Sequence, residues 1–370
     1  MDDLRQLRQS LAGAGKPARI IGGPDGVKIL VLPHGGRVIG LFAPGSAANC
    51  LWTNPALAAV TSARSLFESD AWCNTGGDRT WLAPEAELFF PEYPDRTVYR
   101  QPREFDPGTY RPAVGDGAIR LVNDLTAVSF RRKERVPLRI TKEIMPAENP
   151  LRFEPGRARG LTFAGYTLRS TLELRSGASR TAVGLWHLLQ LPHGGEMLIP
   201  TCSRTRPRVY VGRIPAEDLS VEDGLVRYRM RSAWTHKIGI RAIAATGRVG
   251  YVYRSGGQWR LVIRNFSVNP GGLYADYPPG EPAEVRYAVQ ACSVCERELG
   301  NFSELEYHVP AIGGSTGRRN CWDLSQVWAF GGSARQIGAV ATALLGLEAG
   351  QDAARQRRKA PPQRHQKGWR

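Results

Sequence analysis

The segment Ser303–Pro310 (SELEYHVP) carries the densest set of reactive side chains in the chain. Read as a strand, its period of two sets Glu304, Glu306 and His308 on one face and Leu305, Tyr307 and Val309 on the other. Two carboxylates and an imidazole in a row suit proton transfer or hydroxyl binding. Neighbouring carboxylates also raise one another's pKa, which brings a base toward neutral pH. The competing reading is a half-exposed strand with a polar outer face. A second cluster is GGDRTWLAPEAE, residues 76–87. Its glycines mark a turn. Asp78, Arg79, Glu85 and Glu87 offer acceptors and a planar donor fork beside Trp81, a combination that holds hydroxyls while an aromatic face covers an apolar ring surface. A plain surface loop with an Asp–Arg salt bridge fits the same residues. His187 stands inside the apolar run Leu185–Gln190, and His236 and Lys237 form a polar pair that precedes another apolar strand.

These groups need elements to position them, and the elements read as strands. Val27–Leu32 and Arg37–Phe42 flank the turn Pro33–Gly36, and Gly250–Arg254 and Gln258–Arg264 flank Ser255–Gly257, two hairpin signals. Thr167–Leu174 and Thr181–Leu191 are further apolar runs. Val226–Arg231 alternates strictly, with Val226, Tyr228 and Met230 on one face and Arg227, Arg229 and Arg231 on the other. Near the end, Ile337, Val340, Ala341, Leu344 and Leu345 make the stripe of an amphipathic helix, with Ser333 as its N-cap and Gly346 as its stop. Gly (41) and Pro (26) make up about 18% of the 370 residues, against roughly 12% on average, which favours many turns. The expected fold class is therefore all-β: two large, mostly antiparallel sheets with a C-terminal amphipathic helix. The expected organisation is a flexible lead-in at 1–19, a single sandwich domain at 20–348 and a basic disordered tail at 349–370.

Composition narrows the function classes. The net charge is +16, and residues 351–370 hold seven basic residues against Asp352 alone. Such a tail either solvates the chain or binds nucleic acid and acidic surfaces by counterion release. The first ten residues lack the apolar core of a secretory signal, and no stretch approaches the ~20 apolar residues of a membrane span, so a cytoplasmic protein with reduced thiols is expected. Cys292 and Cys295 have the spacing of half a zinc site, but Cys202 and Cys321 stand apart from any second pair. They read as buried residues on a strand, and no metal is expected. The run Gly13–Ala18 imitates a dinucleotide fingerprint but precedes a strand where it should follow one.

Taken in order, several stretches resemble the galactose-mutarotase superfamily of sugar-binding β-supersandwiches, and more closely an uncharacterised bacterial branch of it. They are Gly35–Leu41 with Asn49–Trp52, Gly76–Arg79 with Trp81–Glu85, Trp186–Gln190, Glu304–His308 and Asp323–Trp328, which together span residues 27–346. The resemblance implies an aldose 1-epimerase-like site. Glu306 would take the proton of the anomeric hydroxyl, His187 would protonate the ring oxygen, and Arg79 would bind the sugar. Asp78, Trp81, His236, Lys237, Glu304 and His308 would support it. It implies a carbohydrate ligand, no metal and no organic cofactor. The sequence departs from the pattern at Ala182–Trp186, which replaces an Asn-rich approach, and after Glu306, where Tyr-His stands for Thr-Gln. Two alternatives stand beside isomerisation: a non-catalytic sugar-binding module, and a nucleic-acid or acidic-surface binder acting through the tail and the Arg227/Arg229/Arg231 row. The oligomeric state is left open.

Overall fold

The computed structural model describes residues 3–23, 25–115, 117–278 and 286–347. In chain order the first half runs α1 (Asp3–Gly13), β1 (Arg19–Gly22), β2 (Lys28–Leu32), β3 (Arg37–Phe42), α2 (Val60–Glu68), β4 (Asp78–Ala83), α3 (Glu85–Leu88), β5 (Arg111–Gly115), β6 (Ala118–Ser129), β7 (Glu134–Pro146), α4 (Pro155–Ala158), β8 (Thr162–Leu174) and β9 (Ala182–Pro192). The second half runs β10 (Glu196–Pro200), β11 (Arg208–Val211), β12 (Leu219–Glu222), β13 (Leu225–Arg229), β14 (His236–Arg241), β15 (Arg248–Ser255), β16 (Gln258–Asn265), β17 (Tyr287–Glu296), β18 (Gly300–His308), β19 (Ile312–Gly313), β20 (Asn320–Gly332) and α5 (Ala334–Leu345).

The strands form two 10-stranded sheets. The first is ordered β1-β2-β3-β4-β9-β18-β17-β14-β11, with β19 paired to β9. The second is ordered β12-β13-β10-β15-β16-β20-β8-β7-β6-β5. The assigned pairings are antiparallel, as the hairpin signals imply: β2 pairs β3, and β15 pairs β16 around Gly256 and Gly257. The expected all-β sandwich of two large antiparallel sheets is what the chain builds.

The inner faces of the two sheets meet in one large apolar core. Val226, Tyr228 and Met230 point into it, as their alternation requires. A polar network crosses the same interior. Asp78 accepts from Arg264 Nη1 at 2.5 Å and from the Tyr166 hydroxyl at 2.6 Å, and Tyr307 donates to Asp323 at 2.6 Å. These bonds tie β4 and β18 of the first sheet to β16, β8 and β20 of the second. A buried charge is tolerated only with such partners.

Helices cover parts of the outer faces. The α5 stripe Ile337, Val340, Ala341, Leu344 and Leu345 is buried against the second sheet, capped by Ser333 and closed by left-handed Gly346. Residues 3–13, expected as a loose lead-in, instead form α1. Its Leu4, Leu7 and Leu11 are buried against Leu30, Leu32, Ile39 and Phe42. The three-leucine stripe was visible in the sequence, but the apolar outer face of β2 and β3 that receives it was not. The basic tail, 349–370, lies outside the described residues. The arginine row that runs along β13 and just past it is matched by acids: Arg227 with Glu222 at 3.2 Å, Arg229 with Glu196 at 3.5 Å and Arg231 with Asp218 at 2.7 Å. Among the described residues no helix is long and apolar enough to cross a membrane.

Candidate functional site

Where α1 and α2 leave the outer face of the first sheet uncovered, a cleft of about 890 Å³ opens over β4, β9, β18, β17 and β14. Registry decides which residues reach it. Opposed residues in antiparallel strands share a face. Arg79 pairs with Leu188, Leu188 with Glu306, and Glu306 with Gln290, so this row faces outward together. Glu304 lies opposite Gln190 and Cys292, and Cys292 opposite Lys237. The wall at β4 starts at a tight approach that only glycine allows. A Cβ on Gly77 (φ +78°) would stand 2.3 Å from the Val38 carbonyl oxygen.

Arg79 is the centre of one half of the floor. Its guanidinium lies over the edge-to-face pair of Trp81 (4.3 Å) and Trp72 (4.9 Å). Nη2 donates to Glu304 at 2.8 Å, and Nη1 to the Asn74 side-chain oxygen at 3.2 Å. Gln190 donates to the same Glu304 oxygen at 3.0 Å. Both indoles are fixed by one carboxylate: Trp81 Nε1 and Trp72 Nε1 donate to Asp106 at 2.9 Å and 3.2 Å, and Arg37 neutralises that acid. Burial pushes the Arg79 pKa down and Glu304 opposes the shift.

Glu306 is the centre of the other half. It is fully buried by its neighbours yet lines the cleft. Oε2 accepts from Lys237 Nζ at 2.9 Å and from Trp186 Nε1 at 2.8 Å, while Oε1 has no partner among the described residues. The Lys237 ammonium also sits 4.6 Å from the Trp186 ring centre. Burial raises the Glu306 carboxyl to about 7, with Lys237 pulling it back and Glu304 pushing it further. Burial pushes Lys237 the opposite way, but Glu306 and Glu85 outweigh it and hold the ammonium above its ordinary value. Glu85, at the start of α3, lines the same cleft, and burial raises it to about 7 as well.

The structure thus brings Arg79, Trp81, Glu304, Glu306 and Lys237 together. It does not bring His187 to them. Tyr307 lies opposite His187 in the β9–β18 register, so His187 shares the interior face, one step out of phase with Glu306. There His187 stacks on Tyr307 at 4.7 Å and hydrogen-bonds Thr80 at 3.1 Å and Ser170 at 3.2 Å. Burial, then Arg264 and Lys142, hold its pKa well below the ordinary value, so it is a neutral structural imidazole. The expected convergence of Arg79, His187 and Glu306 is therefore corrected. Asp78 and His236 are corrected with it. Asp78 faces inward to Arg264 and Tyr166, and His236 faces inward to the Tyr228 hydroxyl. His308 keeps the face of Glu306 but lies behind the cleft wall, stacked on Trp186 at 5.4 Å, and burial lowers it to about 4.

Trp72, Trp186 and Tyr99 also line the cleft. Sequence reasoning assigned them no role. Trp72 and Tyr99 come from irregular segments with no period to read, and the only signal was aromatic residues set among charges. Cys292, read as a buried strand residue, brings its sulfur within 4.8 Å of carboxylate oxygens of Glu304 and Glu306. Three such ligands could hold a metal ion, but each carboxylate already has a cation at 2.9 Å or less, and burial pushes the thiol well up, away from the thiolate a metal needs. The donor set does not fit a resident metal.

No protein-family model matches the chain, and no curated protein matches it. Solved structures do. The X-ray structure of a galactose mutarotase related enzyme from Lactobacillus acidophilus is 11% identical at a TM-score of 0.42, over 84% of this chain and 97% of that one. A galactose mutarotase-like protein from Clostridium acetobutylicum is 8% identical at 0.41, over 82% and 93%. Galactose 1-epimerase from Lactobacillus acidophilus NCFM is 9% identical at 0.39, over 85% and 93%. These three solved structures are galactose mutarotase-related proteins, at identities and TM-scores that mark a distant likeness.

Proposed function

We propose that the cleft binds a carbohydrate and that Glu306 takes the proton of its anomeric hydroxyl, so that the protein interconverts anomers as an aldose 1-epimerase-like isomerase. One observation carries this reading. Glu306 is an acceptor fixed at Oε2 by Lys237 and Trp186, its buried Oε1 has no partner among the described residues, and its side chain lines the cleft. A buried carboxyl near pKa 7 with a preorganised free oxygen is suited to accept a proton at neutral pH. Around it, the Arg79–Glu304 pair and Lys237 supply hydroxyl partners, and Trp72, Trp81 and Trp186 supply flat apolar surface. The volume, about 890 Å³, suits a mono- or disaccharide.

A second reading, a non-catalytic sugar-binding module, is favoured by one observation: His187 lies on the far face of the sheet and reaches no ligand in the cleft. Thermal unfolding against d-glucose, d-galactose and their β-linked disaccharides tests binding. Anomer exchange by NMR then separates the readings. Stabilisation with exchange that Glu306→Gln abolishes supports isomerisation; stabilisation without exchange supports the module; no stabilisation by any sugar removes both.

A further inference from the structure

Opening a sugar ring at its anomeric carbon moves two protons. One leaves the anomeric hydroxyl, and one must arrive at the ring oxygen. The geometry points to Glu85 as the group that protonates the ring oxygen. This assignment rests on the isomerase reading above.

No histidine of the described residues lines the cleft: His187 and His236 face the interior, and His308 sits behind Trp186. The donor must come from another group. Glu304 is committed to Arg79 and Gln190. Asp70, Glu296 and Glu298 lie exposed at the rim. Glu85 is the remaining cleft carboxyl, half-buried and set among the cleft-lining residues beside Tyr99 and Trp81.

Its position relative to Glu306 is built in. Glu85 follows directly on β4, whose Arg79 and Trp81 make one wall. Its backbone N–H donates to Asp276 at 3.1 Å, and Gln290 donates to the other Asp276 oxygen at 2.7 Å. Gln290 is the residue opposite Glu306 in the β17–β18 ladder. Asp276 therefore ties the segment that carries Glu85 to the strand beside Glu306, and the Lys237 charge acts on both carboxyls.

The two carboxyls are held differently, which assigns their roles. Glu306 receives an ammonium and an indole N–H, both of which favour its anion. Glu85 feels the Lys237 charge only at a distance, while its burial favours the neutral acid. Two carboxyls whose surroundings differ in this way divide into base and acid. Burial raises Glu85 to about 7, so a large share carries its proton at neutral pH. In the step, Glu85 gives its proton to the ring oxygen as the bond from that oxygen to the anomeric carbon breaks, and the bond's electron pair stays on the oxygen. Glu306 takes the anomeric hydroxyl proton, and the O–H electrons become the second bond of the aldehyde. Rotation about the adjacent carbon–carbon bond and reversal of both transfers give the other anomer, with both carboxyls restored.

Exchange NMR on d-glucose and d-galactose tests this with wild type, Glu85→Gln, Glu85→Asp and Glu306→Gln across pH 5.5–8.5. The expected results are a loss in kcat of about 100-fold or more for Glu85→Gln, KM within threefold, loss of the alkaline limb of the pH profile, and partial rescue in Glu85→Asp. Glu306→Gln is inactive. A Glu85→Gln enzyme within threefold of wild type, beside an inactive Glu306→Gln, overturns the donor assignment and leaves the isomerase reading standing. So does a Glu85→Gln effect confined to KM. Wild type that exchanges neither sugar above the buffer rate overturns the isomerase reading and this assignment with it.

Discussion

Replacing Lys237 with methionine removes the ammonium 2.9 Å from Glu306 and keeps a similar volume. The consequence is set by linkage. In wild type the Glu306 carboxyl rises from its ordinary 4.5 to about 7. A carboxyl whose folded pKa is raised binds its proton more tightly when folded, so stability falls as pH rises from 4.5 to 7 and levels above 7. At about 1.4 kcal/mol per unit that loss is about 3 kcal/mol. Without the ammonium, the folded pKa moves to roughly 8–9, where carboxyls buried without a partner are found. The decline then continues past 7, and at pH 9 the variant sits about 1–2 kcal/mol further below wild type than at pH 7. Lys237 adds no slope of its own there, because it stays protonated in both states below about pH 10. Groups shared by both proteins cancel in the difference. Urea unfolding followed by tryptophan fluorescence at pH 5.5, 7 and 9 measures it. The same shift leaves only a few per cent of Glu306 ionised at pH 7, so anomer exchange falls roughly tenfold or more. A wild-type-to-variant gap that is equal at pH 7 and pH 9 would refute the coupling.

Three further outcomes follow from the same geometry. Asp78→Ala leaves the Arg264 guanidinium buried without its carboxylate and lowers stability by about 3–5 kcal/mol in urea unfolding, while sugar binding to the folded protein stays within twofold. His187→Gln, which replaces a structural imidazole, costs about 1–3 kcal/mol of stability and leaves the neutral-pH exchange rate within threefold; a hundredfold loss of exchange in a folded variant would restore His187 as the acid. Trp72→Ala removes one of the two rings against the Arg79 guanidinium, worth about 0.5–2 kcal/mol, and weakens sugar affinity in titration calorimetry by roughly two- to thirtyfold.

The order of strands was legible because alternation and Gly-rich turns are local signals. Lys28–Leu32 with Arg37–Phe42, and Arg248–Ser255 with Gln258–Asn265, pair as their turns imply. The α5 stripe and both of its caps were legible for the same reason: helix period and capping chemistry lie within a dozen residues. The face shared by Glu304, Glu306 and His308 was legible too, since a strand has only two faces. Whether that face meets a cleft or bulk water was not, because this depends on what packs above it.

Phase between strands belongs to tertiary structure. Within β4, Asp78 and Arg79 had to point opposite ways, but nothing in their spacing says that Arg79 takes the cleft and Asp78 the interior. The β9–β18 register sets Leu188, and not His187, opposite Glu306. A slip of one residue would have reversed this and set the imidazole beside the carboxylate. The sequence by itself determined the sandwich, its hairpins, its closing helix and the acidic strand, because each rests on contacts a few residues apart. Only the tertiary structure decided which histidine is sealed in the core and that Trp72, Glu85 and Tyr99 complete the cleft, because their places depend on registers and loop paths set by residues a hundred or more positions away.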